Sequence, residues 1–168
     1  MRWVRSAAFA VLVGAGAGIS PLAAQFDSGL PVGSKAPVLV INDLDGKPVD
    51  LGAWLGKTPV LIEFWATWCS SCKALLPELA RVRKTFGDKV TLIGINVTVN
   101  ESRERVRRYL QAVDPGFLVL YDETGASTRA YDVPGTSHVV VVDASGTVVY
   151  TGTGGDQDLV AAVRKAVR

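Results

Sequence analysis

The stretch Val60-Leu61-Ile62-Glu63-Phe64-Trp65-Ala66-Thr67-Trp68-Cys69-Ser70-Ser71-Cys72 decides the fold. Its first six residues are apolar without alternation, Glu63 excepted. That is the pattern of a strand covered on both faces in a parallel or mixed sheet. The strand feeds a helix-like segment, Ser71 to Phe86, with Leu75, Leu76, Leu79, Val82 and Phe86 at helical spacing and Pro77 placed to kink it. The chain's only two cysteines sit at this junction, spaced Cys-x-x-Cys. Cys69 falls at the first helical turn, where unpaired amides and the positive end of the dipole stabilise a thiolate. Cys72, one turn on, is close enough to close an intramolecular disulfide, so the pair reads as a cycling dithiol with Cys69 as nucleophile.

Outward from this core, the chain alternates. Val38–Ile41 and Pro48–Leu51 flank Asp43-Leu44-Asp45-Gly46-Lys47 as an N-terminal hairpin. Beyond the dithiol helix come a buried strand over Val90–Val97, a helix over Ser102–Val113 and a strand over Phe117–Tyr121. His138–Asp143 and Thr147–Thr151 form an antiparallel pair around Ala144-Ser145-Gly146, and Leu159–Val167 closes as a helix. The fold class is α/β.

Residues 1–24 read as a secretory signal peptide: Arg2 and Arg5, an apolar stretch from Ala7 to Ile19, then Ser20-Pro21-Leu22-Ala23-Ala24. If uncleaved, the segment would serve as an N-terminal membrane anchor. Residues 25–36 read as a linker and 37–168 as one domain, so the expected location is periplasmic or otherwise exported. Without residues 1–24 the basic count is 16 against 16 acids. Nothing in that balance points to nucleic acid, which needs a concentrated basic surface, so no nucleic-acid partner is expected. Two cysteines in an exported chain also leave the fold without a disulfide framework.

On these residues the chain resembles the thioredoxin superfamily, and within it the exported TlpA/ResA-like thiol-disulfide oxidoreductases. The carriers are Asp45-Gly46-Lys47, Glu63-Phe64-Trp65-Ala66-Thr67-Trp68-Cys69-x-x-Cys72, Pro77, and Tyr131-Asp132-Val133 leading to Val142-Asp143-x-x-Gly146. The resemblance implies a three-layer sandwich, a central mixed sheet flanked by helices, with the hairpin as an extension. It implies an enzyme that exchanges disulfides with protein substrates and acts as a reductant, for example in cytochrome c or copper-centre maturation. Such an enzyme takes electrons from an upstream membrane donor and needs no cofactor beyond its redox-active Cys69–Cys72 disulfide. Glu63 stands where the family has a buried acid that moves protons for Cys72. Trp68, Thr136 and Ser137 stand at the substrate-facing rim.

Ser137 departs from the pattern, since the family places a cis-proline there. A cis bond before a non-proline residue costs about 2.5–4 kcal/mol, so a trans or rearranged Thr136–Ser137 bond is expected. The missing proline opens an alternative, a periplasmic Cu(I) metallochaperone using Cys69, Cys72 and His138, the only histidine. Zinc would require further ligands. A peroxidase of the peroxiredoxin type needs Pro-x-x-x-Thr-x-x-Cys, and Ala66 occupies the threonine position. Arg103, Arg105, Arg107 and Arg108, interleaved with Glu101 and Glu104, read as a solvated helix face.

Overall fold

The computed structural model describes residues 29–168; the signal-peptide expectation over 1–24 lies outside them. Seven strands and four α-helices follow in order: β1 (Val40–Asp43), β2 (Pro48–Asp50), β3 (Val60–Trp65), α1 (Ser70–Phe86), β4 (Thr91–Asn96), α2 (Arg103–Ala112), β5 (Leu118–Tyr121), α3 (Ala126–Ala130), β6 (His138–Val142), β7 (Val148–Thr153) and α4 (Leu159–Ala166).

One mixed sheet has the order β2-β1-β5-β4-β3-β6-β7. The run from Val60 to Trp65 lies in its interior, parallel to β4 and antiparallel to β6, with all six residues buried. That burial explains the absence of polar alternation: both faces of β3 are covered. Leu61 packs with Val139 and Val141 of β6 beneath Leu75, Leu79 and Val82 of α1 and Leu159 and Val163 of α4. Ile62 and Phe64 belong to the second cluster, with Ile93, Ile95, Val140 and Tyr131; the Phe64 and Tyr131 rings are 5.5 Å apart. The β1–β2 hairpin extends the sheet by pairing antiparallel with β5.

Pro77 lies inside α1. Among the described residues no helix is long and apolar enough to cross a membrane.

Two expectations change. The linker read over 25–36 is structured at its end: Gly33 N donates to Val148 O at 2.8 Å, Val148 N to Ser34 O at 2.9 Å and Ala36 N to Gly146 O at 3.0 Å. Lys35 also bridges to Thr147. The folded body therefore begins before Pro37, because this polar segment finds backbone partners at the start of β7. The arginines of α2 are not simply solvated. Arg103 Nη1 donates to Asp43 O at 2.7 Å and Arg107 Nη2 to Leu44 O at 2.6 Å, tying α2 to the hairpin turn. Arg103 also stacks over the Tyr121 ring, 4.6 Å from its centroid.

Helix α3 has no periodic signature. Asp122, 2% exposed, creates it: its Oδ2 accepts from Ser127 N and Oγ and from Thr128 N and Oγ1. A buried carboxylate satisfying first-turn donors stabilises a helix too short to stand on propensity.

Candidate active site

The dithiol forms where β3 ends and α1 begins. Cys69 is the N-cap of α1 in extended conformation (φ −76°, ψ 110°), and its Sγ accepts from Cys72 N at 3.0 Å. A thiolate at this position would meet the same orphan amide and the dipole of a 17-residue helix. Cys69 and Cys72 are disulfide-bonded, with Cα atoms 5.3 Å apart. They are 4% and 5% exposed, whereas Trp68 beside them is 42% exposed. The half-exposed indole thus leaves an apolar surface beside a shielded disulfide.

Glu63 is 1% exposed. It shares the face of β3 with Leu61, which α1 covers, and lies opposite Gly94 of β4 and Val139 of β6. Gly94 has no side chain because the Phe117 ring occupies that space. The carboxyl therefore faces apolar groups, and Oε1 has no hydrogen-bond partner among the described residues. Burial alone pushes its pKa from 4.5 to about 8. Tyr109 on α2 is also pushed up, first by burial and then by the Glu63 charge. The structure thus brings Glu63 into the buried layer beneath α1.

Thr136 lines a groove of about 540 Å³ together with Trp68, Val97, Val99, Thr128 and Val133. Ser137 turns the other way. It is 2% exposed with φ +57°, and no peptide bond in the described residues is cis. Its Oγ accepts from Gly154 N at 3.1 Å and its carbonyl from Gln157 Nε2 at 3.1 Å. The serine side chain is therefore engaged by the β7–α4 turn rather than presented at the rim.

His138 does not join the thiols. It is fully buried, its Nδ1 lies 2.9 Å from Thr153 Oγ1, and a side chain at Gly29 would meet its Nε2 at 2.7 Å. Burial lowers its pKa against the opposing pull of Asp132. Among the described residues no three His, Cys, Asp or Glu side chains gather into a metal-holding group. The ligand set Cys69, Cys72 and His138 is not assembled, because His138 pairs with Phe64 on β3 and its ring nitrogens face β7 and the N-terminal segment.

One buried side chain that reaches the active-site segment has no signal in the sequence. Glu101 belongs to the loop before α2, yet its side chain is fully buried and its Oε1 accepts from both Thr67 N and Thr67 Oγ1 at 2.7 Å. A single glutamate before a helix N-cap reads as first-turn charge; only the fold brings it to the residue two before Cys69.

A Redoxin family model matches residues 31–167. The chain belongs to the Redoxin family. It is 33% identical over 123 residues to the thiol-disulfide oxidoreductase ResA of Bacillus subtilis, covering 73% of this chain and 67% of that one. It is 28% identical over 156 residues to the thioredoxin-like protein YneN of the same organism, covering 90% and 91%. Among solved structures, the thioredoxin domain of a thiol-disulfide oxidoreductase from Bacteroides vulgatus superposes with a TM-score of 0.71 at 29% identity, covering 83% of this chain and 99% of that one. The fold of this Redoxin member is thioredoxin-like, a central mixed sheet with flanking helices, as its motif implied.

Proposed function

We propose that the protein is an exported thiol-disulfide oxidoreductase that reduces disulfides in protein substrates. The observation that carries this reading is Cys69 Sγ at the N-terminus of α1, bonded to Cys72 and following the strand that buries Glu63. Kinship with relatives named thiol-disulfide oxidoreductase supports it.

In the reduced protein the Cys69 thiolate attacks one sulfur of a substrate disulfide. A Cys69–substrate bond forms and one substrate thiolate leaves. Cys72 then gives up its proton and attacks Cys69 Sγ, closing the Cys69–Cys72 bond and releasing the second substrate thiolate. Two electrons pass from the dithiol to the substrate. Glu63, with a pKa near the thiol range, takes the Cys72 proton during resolution in the molecules whose Glu63 carboxyl is ionised, a fraction that grows as pH approaches 8. A membrane dithiol donor restores the reduced pair by the same exchange in reverse. Trp68 and Thr136 border the groove in which the substrate segment rests. Cytochrome c apoproteins and copper-centre proteins, whose cysteines must be reduced before metal or haem attachment, fit this role.

Alkylation trapping tests the assignment. Cys72→Ser should accumulate mixed disulfides with protein substrates while Cys69→Ser should not; equal behaviour of the two variants would refute it. A reduction potential near −270 mV would support a reductant, and one near −120 mV an oxidant.

A further inference from the structure

The segment leading into Cys69 is gripped from outside the motif. Glu101 Oε1 accepts from Thr67 N and Oγ1, both at 2.7 Å. Arg105 Nε donates to the same Thr67 Oγ1 at 3.1 Å and lies 4.0 Å from Glu101 Oε2. The next residue is held too, since Trp68 Nε1 donates to Val99 O at 2.8 Å. The gripping loop is itself constrained: Thr98 and Asn100 adopt φ +62° and +53°, which asparagine tolerates but a β-branched threonine adopts only under outside restraint. Thr98 Oγ1 supplies that restraint by donating to Asp122 O at 3.1 Å.

The two ionic members differ in exposure. The Glu101 side chain is fully buried, with no hydrogen bond to Oε2 among the described residues, while the Arg105 side chain is 51% exposed. Water screens the cation more than the anion, so the buried charge acts more strongly on nearby groups. Thr67 and Cys69 are separated by at most about 7.6 Å of chain. A carboxylate so placed opposes ionisation of Cys69, and the guanidinium favours it.

We propose that Glu101 and Arg105 are positioning residues that clamp Thr67 and, through opposed charges, set the redox poise of the Cys69–Cys72 pair. The inference rests on the dithiol reading above and deepens it. The clamp fixes the peptide that delivers Cys69 to the start of α1. Its buried anion keeps the reduced thiolate less stable, and therefore the protein more reducing, than the helix N-terminus alone would make it.

The test uses charge-removing variants that keep shape. Gln at position 101 retains a carbonyl oxygen able to accept from Thr67. Glu101→Gln should shift the glutathione exchange equilibrium about tenfold toward the reduced protein, or about 30 mV more oxidising for a two-electron couple. Arg105→Gln should shift it the other way by roughly threefold, a smaller effect because of solvent screening. If the two shifts add, the double variant should lie between the single variants, about threefold toward the reduced protein relative to wild type. Glu63 and Lys73, the other charged groups near the motif, are the same in every protein compared. Loosening of the loop would move both single variants in one direction; shifts of the same sign, or no shift in either, would overturn the proposal. If Glu101→Gln does not fold, Arg105→Gln alone decides by its sign. An inert wild-type dithiol would instead refute the oxidoreductase reading, so the two failures are distinct.

Discussion

Replacing Glu63 with Gln should remove the loss of stability that this carboxyl causes as pH rises through the neutral range. In the folded state burial holds the Glu63 pKa at about 8, against 4.5 when exposed. Between these values the folded chain keeps a proton that the unfolded chain has released. Stability is therefore full below pH 4.5 and is lost as pH rises toward 8, with a slope of about 1.4 kcal/mol per pH unit. Over the whole window the loss is roughly 5 kcal/mol, a third or more of a typical domain's stability. Glutamine has the same reach and no charge at any pH. His138, whose pKa is lowered, contributes a slope of opposite sign, but equally in both proteins, so it cancels in the difference. Guanidinium unfolding of the oxidised proteins from pH 4.5 to 8.5 would measure this. The stability of Glu63→Gln minus that of wild type should rise by several kcal/mol across the range. Parallel curves, within about 1 kcal/mol, would show that the carboxyl is hydrated and the burial argument wrong. The same variant should slow resolution of the mixed disulfide if Glu63 accepts the Cys72 proton as proposed.

Trp68→Ala should lower kcat/KM for a protein disulfide about tenfold while leaving reduction by a small dithiol unchanged, since the exposed indole supplies contact area rather than chemistry. Equal losses with both substrates would assign it a structural role instead. Ser137→Pro should destabilise the fold by about 3 kcal/mol, because proline locks φ near −65° where this position needs +57°. Ser137→Gly should stay within about 1 kcal/mol of wild type, as Gly154 N keeps its second acceptor, Ser137 O; chemical denaturation reads both. Gly94→Ala would drive a methyl group into the Phe117 ring and should cost about 1–3 kcal/mol, visible as a lowered Tm.

Legibility differed sharply among residues of the same site. Cys69, Cys72 and Glu63 were readable because their signals are local: a fixed spacing, and one acid in an unalternating apolar run. Ser137 was located by the motif around it, but its inward orientation depends on Gly154 and Gln157, 17 and 20 residues further along the chain. His138 was undecidable because strand alternation assigns a face without saying what covers it. Helix α3 was invisible for a related reason, being built on the buried Asp122 rather than on periodicity.

The amino-acid order alone settled the α/β class, the strand-to-helix junction and the two sulfur atoms on it, since periodicity and four-residue spacing are properties of neighbouring positions. The folded chain alone decided that a glutamate 34 residues from Thr67 grips the active-site loop, that the histidine is turned away from the thiols, and that α2 is tied to the hairpin. Those contacts depend on strand order and loop closure, which bring distant segments together and leave no imprint on any short stretch of sequence.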